Sequence, residues 1–97
     1  MSDATFDEEV ERVVIIYERE IGHFASRTRQ MIDRLGEIEA LSRLMISGDL
    51  QQGFKVLRDR GLLENTFESL VVRFKDLFKS AVVQAAQWRL DHPFELL

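Results

Sequence analysis

Only one short stretch of this chain pairs residue types in a spacing that ligates metal. Glu20-Ile21-Gly22-His23 is a Glu-x-x-His step. In di-iron helical bundles that step puts both ligands on one helix face, together with further carboxylates aimed into the same core. Here Glu20 and His23 fall at g and c of the local heptad rather than at a and d, and Gly22 weakens the helix between them. The expectation is a solvated Glu–His pair and no metal. His92 precedes Pro93 and reads as a helix stop. Ser26, Ser42, Ser47, Ser69 and Ser80 fall inside or at the ends of expected helices with no His close in sequence. The absence of Cys removes disulfides, thiolate metal sites and a thiol nucleophile. No phosphate-cradling glycine loop, dinucleotide fingerprint, zinc spacing or serine elbow is present. The residues therefore point away from an enzyme, with no catalytic residue and no cofactor expected.

The elements that would position any site read as helices throughout. The 97 residues are about one domain, 1–97, and 45% hydrophobic with 31% charged is a globular balance. Pro is absent before Pro93. A first helix begins near Thr5 or Phe6, where Asp3, Asp7, Glu8, Glu9 and Glu11 favour the positive end of the helix dipole. Val10, Val14, Tyr17, Ile21, Phe24, Thr28, Met31, Leu35, Ile38, Ser42 and Met45 then follow in alternating steps of 4 and 3. All but Thr28 and Ser42 are apolar, so the run is an a/d seam about five heptads long. Ile15 and Ile16 fall off it and call for cover on more than one side.

Gly36 sits where a glycine ends a helix, and a break there leaves a helix over Glu37–Ser47. Gly48 can end that helix and Asp49 can cap the next, whose stripe is Leu50, Phe54 and Leu57 and which ends at Gly61. Asn65 and Glu68 have capping-box spacing ahead of an apolar face of Phe67, Leu70, Val71, Phe74, Leu77 and Phe78. Ser80 is the expected N-cap of a last helix through Val82, Val83, Ala86 and Leu90, and Phe94–Leu97 is a short apolar tail. The expected architecture is all-α: a small bundle of four to five helices with a long, heptad-bearing N-terminal helix.

The stretch from about Thr28 to Leu90 resembles a helical segment that recurs at the ends of many bacterial proteins, often nuclease-like or associated with defence against phage. The matching residues are Arg29, Met31, Ile32, Leu35, Gly36, Ala40 and Leu44, then Gly53, Phe54, Leu57 and Gly61, then Thr66, Glu68, Leu70 and Val71, then Leu77, Phe78, Ala85, Arg89 and Leu90. They cover roughly two thirds of the chain and are core, cap and turn types. The resemblance implies an accessory module of a defence or regulatory system rather than an enzyme core.

Length bears on partners. A continuous helix over Thr5–Ser47 would run about 64 Å, against about 32 Å across a compact domain of this size. Such a helix either projects and needs a partner chain for its seam, most simply in a homodimer, or it bends at Gly22 or Gly36. The interface expected is Val10, Val14, Tyr17, Ile21, Phe24, Thr28, Met31 and Leu35. The alternative is a nucleic-acid-associated regulator in which Asn65–Phe78 and Ser80–Asp91 form a helix-turn-helix-like pair presenting Arg73, Lys75, Lys79, Gln84, Gln87 and Arg89. The net charge of −4 requires such a protein to gather its bases on one face; Arg27, Arg29, Arg34, Arg58 and Arg60 are a second cluster. No apolar run exceeds Val13–Tyr17, and acids stand where a signal peptide is basic. The expectation is a cytoplasmic protein without a membrane partner.

Overall fold

In the computed structural model, which describes residues 5–47 and 52–95, Thr5 sets the start of the first helix. Its hydroxyl accepts from the Glu8 N–H and the Glu8 carboxylate accepts from the Thr5 N–H, a reciprocal capping box that satisfies two backbone donors. Helix α1 then runs Phe6–Ile21, followed by α2 Ser26–Leu35, α3 Glu37–Ile46, α4 Gln52–Asp59, α5 Phe67–Arg73 and α6 Ser80–Asp91, with 3₁₀ turns at Leu63–Asn65 and Lys75–Leu77. All regular structure among the described residues is helical, as the periodicity implies, in six α-helices rather than four or five. No helix among them is long and apolar enough to cross a membrane. Asp3, Gly48, Asp49, Leu50, Leu96 and Leu97 lie outside the described residues.

The long N-terminal helix does not form. Helix α1 has 16 residues and is about 24 Å long, well inside the 35 × 34 × 30 Å envelope. Both glycines break the heptad run. Gly22 takes φ +78° as its N–H bonds back to the Glu18 carbonyl, and Gly36 takes φ +84°. Residues with a Cβ rarely adopt either conformation. Gly36 both closes α2, through its N–H to Ile32, and opens α3, through its carbonyl to Ala40. The seam is thereby cut into three helices: α2 and α3 pack on each other, α1 packs against α4 and α5, and among the described residues no helix reaches the length at which it would project.

The core lies where α1, α3, α5 and α6 meet. Val10, Val13 and Val14 from α1 join Leu41 and Met45 from α3, Leu70 and Val71 from α5, and Val82 and Ala86 from α6. Phe6 packs edge-on against Phe74 and Phe78, with ring centroids at 5.2 and 5.7 Å. Helix α5 ends at Arg73, and the 3₁₀ turn after Phe74 brings Phe78 back onto Phe6 while leaving Leu77 exposed. The expected continuous helix to Phe78, with Leu77 on its apolar face, is corrected accordingly. Val10 and Val14, expected at an interface between chains, are buried by this chain's own helices. Of the two residues off the seam, Ile16 is half-buried and Ile15 is exposed, so cover on a second side reaches Ile16 and not Ile15.

Two caps move by one residue. Thr66, not Asn65, is the N-cap of α5: its hydroxyl accepts from the Ser69 N–H and donates to the Leu63 carbonyl, while Asn65 accepts from Arg12 at 3.0 Å. Lys79 holds the N-cap position of α6, and Ser80 is the first helical residue. Thr66→Ala is expected to cost about 1–2 kcal/mol and Asn65→Ala about 0.5 kcal/mol or less. Urea midpoints of the two variants check the order, and equal losses would contradict the Thr66 cap.

Candidate functional site

An apolar cleft of about 560 Å³ opens between α1, α2, the end of α3, α4 and the start of α5. Its size falls in the range of clefts that take a small molecule or an anchoring side chain. Tyr17 and Ile21 come from α1, one turn apart on the face that continues Val10 and Val14. Thr28 and Met31 come from α2, Gly53, Phe54 and Leu57 from α4, and Phe67 from α5. Gly53 keeps the far wall low: a Cβ there would stand 3.8 Å from the Tyr17 ring. Burial pushes the Tyr17 hydroxyl above its ordinary value.

The rim is a built turn. After Gly22 the chain crosses to α2 through His23, Phe24 and Ala25. The Glu18 carboxylate accepts from the Ala25 N–H at 2.8 Å and from the Arg29 guanidinium through two bonds of 2.7 Å. Arg29 also donates to both oxygens of Glu11 at 2.8 and 3.0 Å. This network holds the Glu18 carboxyl at about 2, chiefly through Arg29. Within it Ala25 is buried, and Phe24 stands 76% exposed at the mouth of the cleft.

Glu18 therefore supports the fold above the ordinary carboxylate pKa, and that support is lost as pH falls from about 4.5 toward about 2. Glu8 and Glu9, lowered by Thr5 and by Arg12 and Arg73, act in the same direction. Glu18→Gln is expected to flatten the acid limb of stability against pH. Denaturation midpoints between pH 5 and pH 2.5 check it, and an unchanged limb would contradict the role of Glu18.

Behind the cleft lies a polar device. Glu68 is 2% exposed and Arg89 6%. Arg89 donates to Glu68 at 3.0 Å, to the Leu44 and Met45 carbonyls at 3.2 Å and to the Ser47 carbonyl at 3.0 Å. One guanidinium thus joins α6 to α5 and to the C-terminal end of α3. Burial pushes the Glu68 carboxyl up, and Arg89 opposes that shift. Glu68, expected in a capping box with Asn65, serves this ion pair instead.

Of the eight seam residues expected at an interface, Val14, Tyr17, Ile21, Phe24, Thr28 and Met31 all touch the cleft. Val10 lies in the core, and Leu35 is half-buried away from the cleft. Of the nucleic-acid set only Arg89 leaves the surface, while Arg73, Lys75, Lys79, Gln84 and Gln87 are exposed. Arg89 faces inward, Arg73 pairs with Glu9 at 2.8 Å, Gln84 donates to Ser80 and Gln87 to Asp91. Lys75 and Lys79 remain exposed. Of the second basic cluster, Arg29 is held as above, Arg58 by Asp59 and the Pro93 carbonyl, and Arg60 by the Glu20 carbonyl and carboxylate, while Arg27 and Arg34 are exposed. Glu20 is thus engaged with Arg60, and the His23 Nδ1 lies 3.1 Å from the Phe24 carbonyl. Among the described residues no group of three metal-ligating side chains comes together.

The seam pattern points to half of the cleft and gives no sign of the buried Glu68–Arg89 pair as a pair. The pair's one sequence signal is that Arg89 continues the inward face of Val82 and Ala86 at i, i+4, i+7. Comparison with known protein families, with curated proteins and with solved structures finds no match, so the site is read from its geometry.

Proposed function

We propose that this chain is a non-enzymatic helical interaction module that self-associates through the face made by the end of α1, the turn after it and α2. The single observation that carries the reading is the open apolar cleft with a phenylalanine held 76% exposed at its mouth. A large ring in water next to unfilled apolar space leaves hydrophobic free energy unrealised in the isolated chain. The residues involved are the later members of the heptad seam, so the face is smaller than a coiled coil and centres on the Gly22 turn. A standard interface removes about 800 Å² per partner, roughly an eighth of this chain's 6199 Å². On the nucleic-acid reading Arg89 is buried and Arg73 is paired with Glu9, which leaves Lys75 and Lys79 as the exposed bases of that set.

Light scattering is expected to return a mass near twice 11.3 kDa at high concentration. The melting temperature is expected to rise with concentration, because dilution favours the separated chains. A mass of 11.3 kDa at every concentration together with a flat melting temperature would overturn self-association.

A further inference from the structure

Resting on that reading, we infer that the occupant of the cleft is Phe24 of a second copy of this chain, inserted reciprocally about a two-fold axis. A closed two-fold interface must be self-complementary: one patch has to carry both the projecting group and its receptor. This patch does. Phe24 projects from the rim of the same cleft that Tyr17, Ile21, Met31, Phe54 and Leu57 line.

The projecting ring is prepared for insertion. Gly22 turns the chain at φ +78°, and Ala25 is buried and held by Glu18, so the turn is anchored on both sides of Phe24. Arg29 fixes Glu18 in turn and is itself held by Glu11. A ring presented on an ordered turn loses little conformational entropy on docking, which is what distinguishes an anchor from a merely exposed residue.

The receptor is suited to a ring. It offers aromatic and aliphatic walls, a pliant thioether in Met31, and at Gly53 no side chain to close it. Each inserted phenylalanine removes roughly 150–250 Å² from water. Two of them supply about a quarter of a standard interface of ~1,600 Å², and the remainder has to come from the α1 and α2 surfaces around the cleft.

The test uses single-site variants of the full chain. Phe24→Ala keeps the receptor and lacks the anchor. Gly53→Leu keeps the anchor and fills the receptor; its Cβ meets the Tyr17 ring at ordinary contact distance and leucine favours the helix. Each is expected to weaken self-association about 1,000-fold, two anchors at about 30-fold each, and to sediment as a monomer. An equimolar mixture is expected to form a weak heterodimer, because one anchor and one receptor then match.

Phe24→Trp in a Trp88→Phe background supplies a single reporter, whose emission is expected to shift to the blue as concentration crosses the monomer–dimer transition. Should Gly53→Leu fail to fold, this reporter and Phe24→Ala decide between the outcomes. A wild-type dimer unaffected by Phe24→Ala overturns the anchor and leaves self-association standing. A wild-type chain monomeric throughout overturns both. Blue emission independent of concentration places the ring in its own chain's cleft and overturns reciprocal insertion.

Discussion

Arg89→Ala is expected to destabilise the fold by about 3–5 kcal/mol, the cost of leaving a buried charge without its partner. That is a large share of the stability of a domain this size, which is about 5–15 kcal/mol. The loss arises because Glu68, 2% exposed, keeps its carboxylate in a dry environment once the guanidinium is gone. The end of α3 also loses the donor that ties Leu44, Met45 and Ser47 to α6.

The variant should show a reversed dependence on pH. Burial already pushes the Glu68 carboxyl up, and without Arg89 the folded state favours the protonated acid still more strongly. A group whose folded pKa is raised stabilises the fold below its unfolded pKa, and that support is lost as pH rises through the folded value. Arg89→Ala is therefore expected to be more stable at pH 5 than at pH 8. Adding Glu68→Gln should recover part of the loss at pH 8 and remove this dependence. Replacing the pair by Glu68→Leu with Arg89→Met should recover the charge penalty but not the tie to α3. Urea midpoints at the two pH values test all three; a loss below about 1 kcal/mol for Arg89→Ala would show that the pair does little for the fold.

What could be read from the sequence divides along physical lines. Helix formation is a local matter of caps, periodicity and absent prolines, and the start of α1 and the helices α3, α4 and α6 fall close to where those signals put them. Whether consecutive helices stay collinear is not local. The step of 3.5 runs on across Gly22 and Gly36 and so mimics one long helix, yet only part of it meets the core: Val10 and Val14 of α1 and Met45 of α3 are buried, α2 buries none of its residues, and Ile38 is exposed. The glycines carried the contrary signal, and their positive φ values show that it prevails. Asn65 and Thr66 are both good capping types, so local sequence does not choose between them; Arg12, 53 residues away, engages Asn65 and leaves the cap to Thr66. The Glu68–Arg89 pair joins residues 21 apart and could be found only by asking why an arginine continues the apolar face of α6.

The sharpest consequence of the broken seam is a contrast between two positions that one continuous coiled coil would make equivalent. Val14 and Phe24 are an a and a d residue ten apart on the same heptad register. In an interchain coil, aspartate at either would disrupt assembly alike. Here Val14 is 2% exposed among Leu70, Val71 and the other core residues, while Phe24 stands in water on the turn between α1 and α2. Val14→Asp buries an unpaired carboxylate and opens a gap in the core, and several kcal/mol is the expected cost. Circular dichroism should show much of its helix content lost at room temperature. Phe24→Asp, measured at a concentration too low for self-association, is expected to change stability by no more than about 0.5 kcal/mol, as for other surface substitutions. At high concentration the same variant should remain monomeric where wild type pairs, because the anchor has become a charge facing an apolar cleft. Equal destabilisation of the dilute chain by both substitutions would mean that Phe24 belongs to the folded core, and the face built around it would not exist.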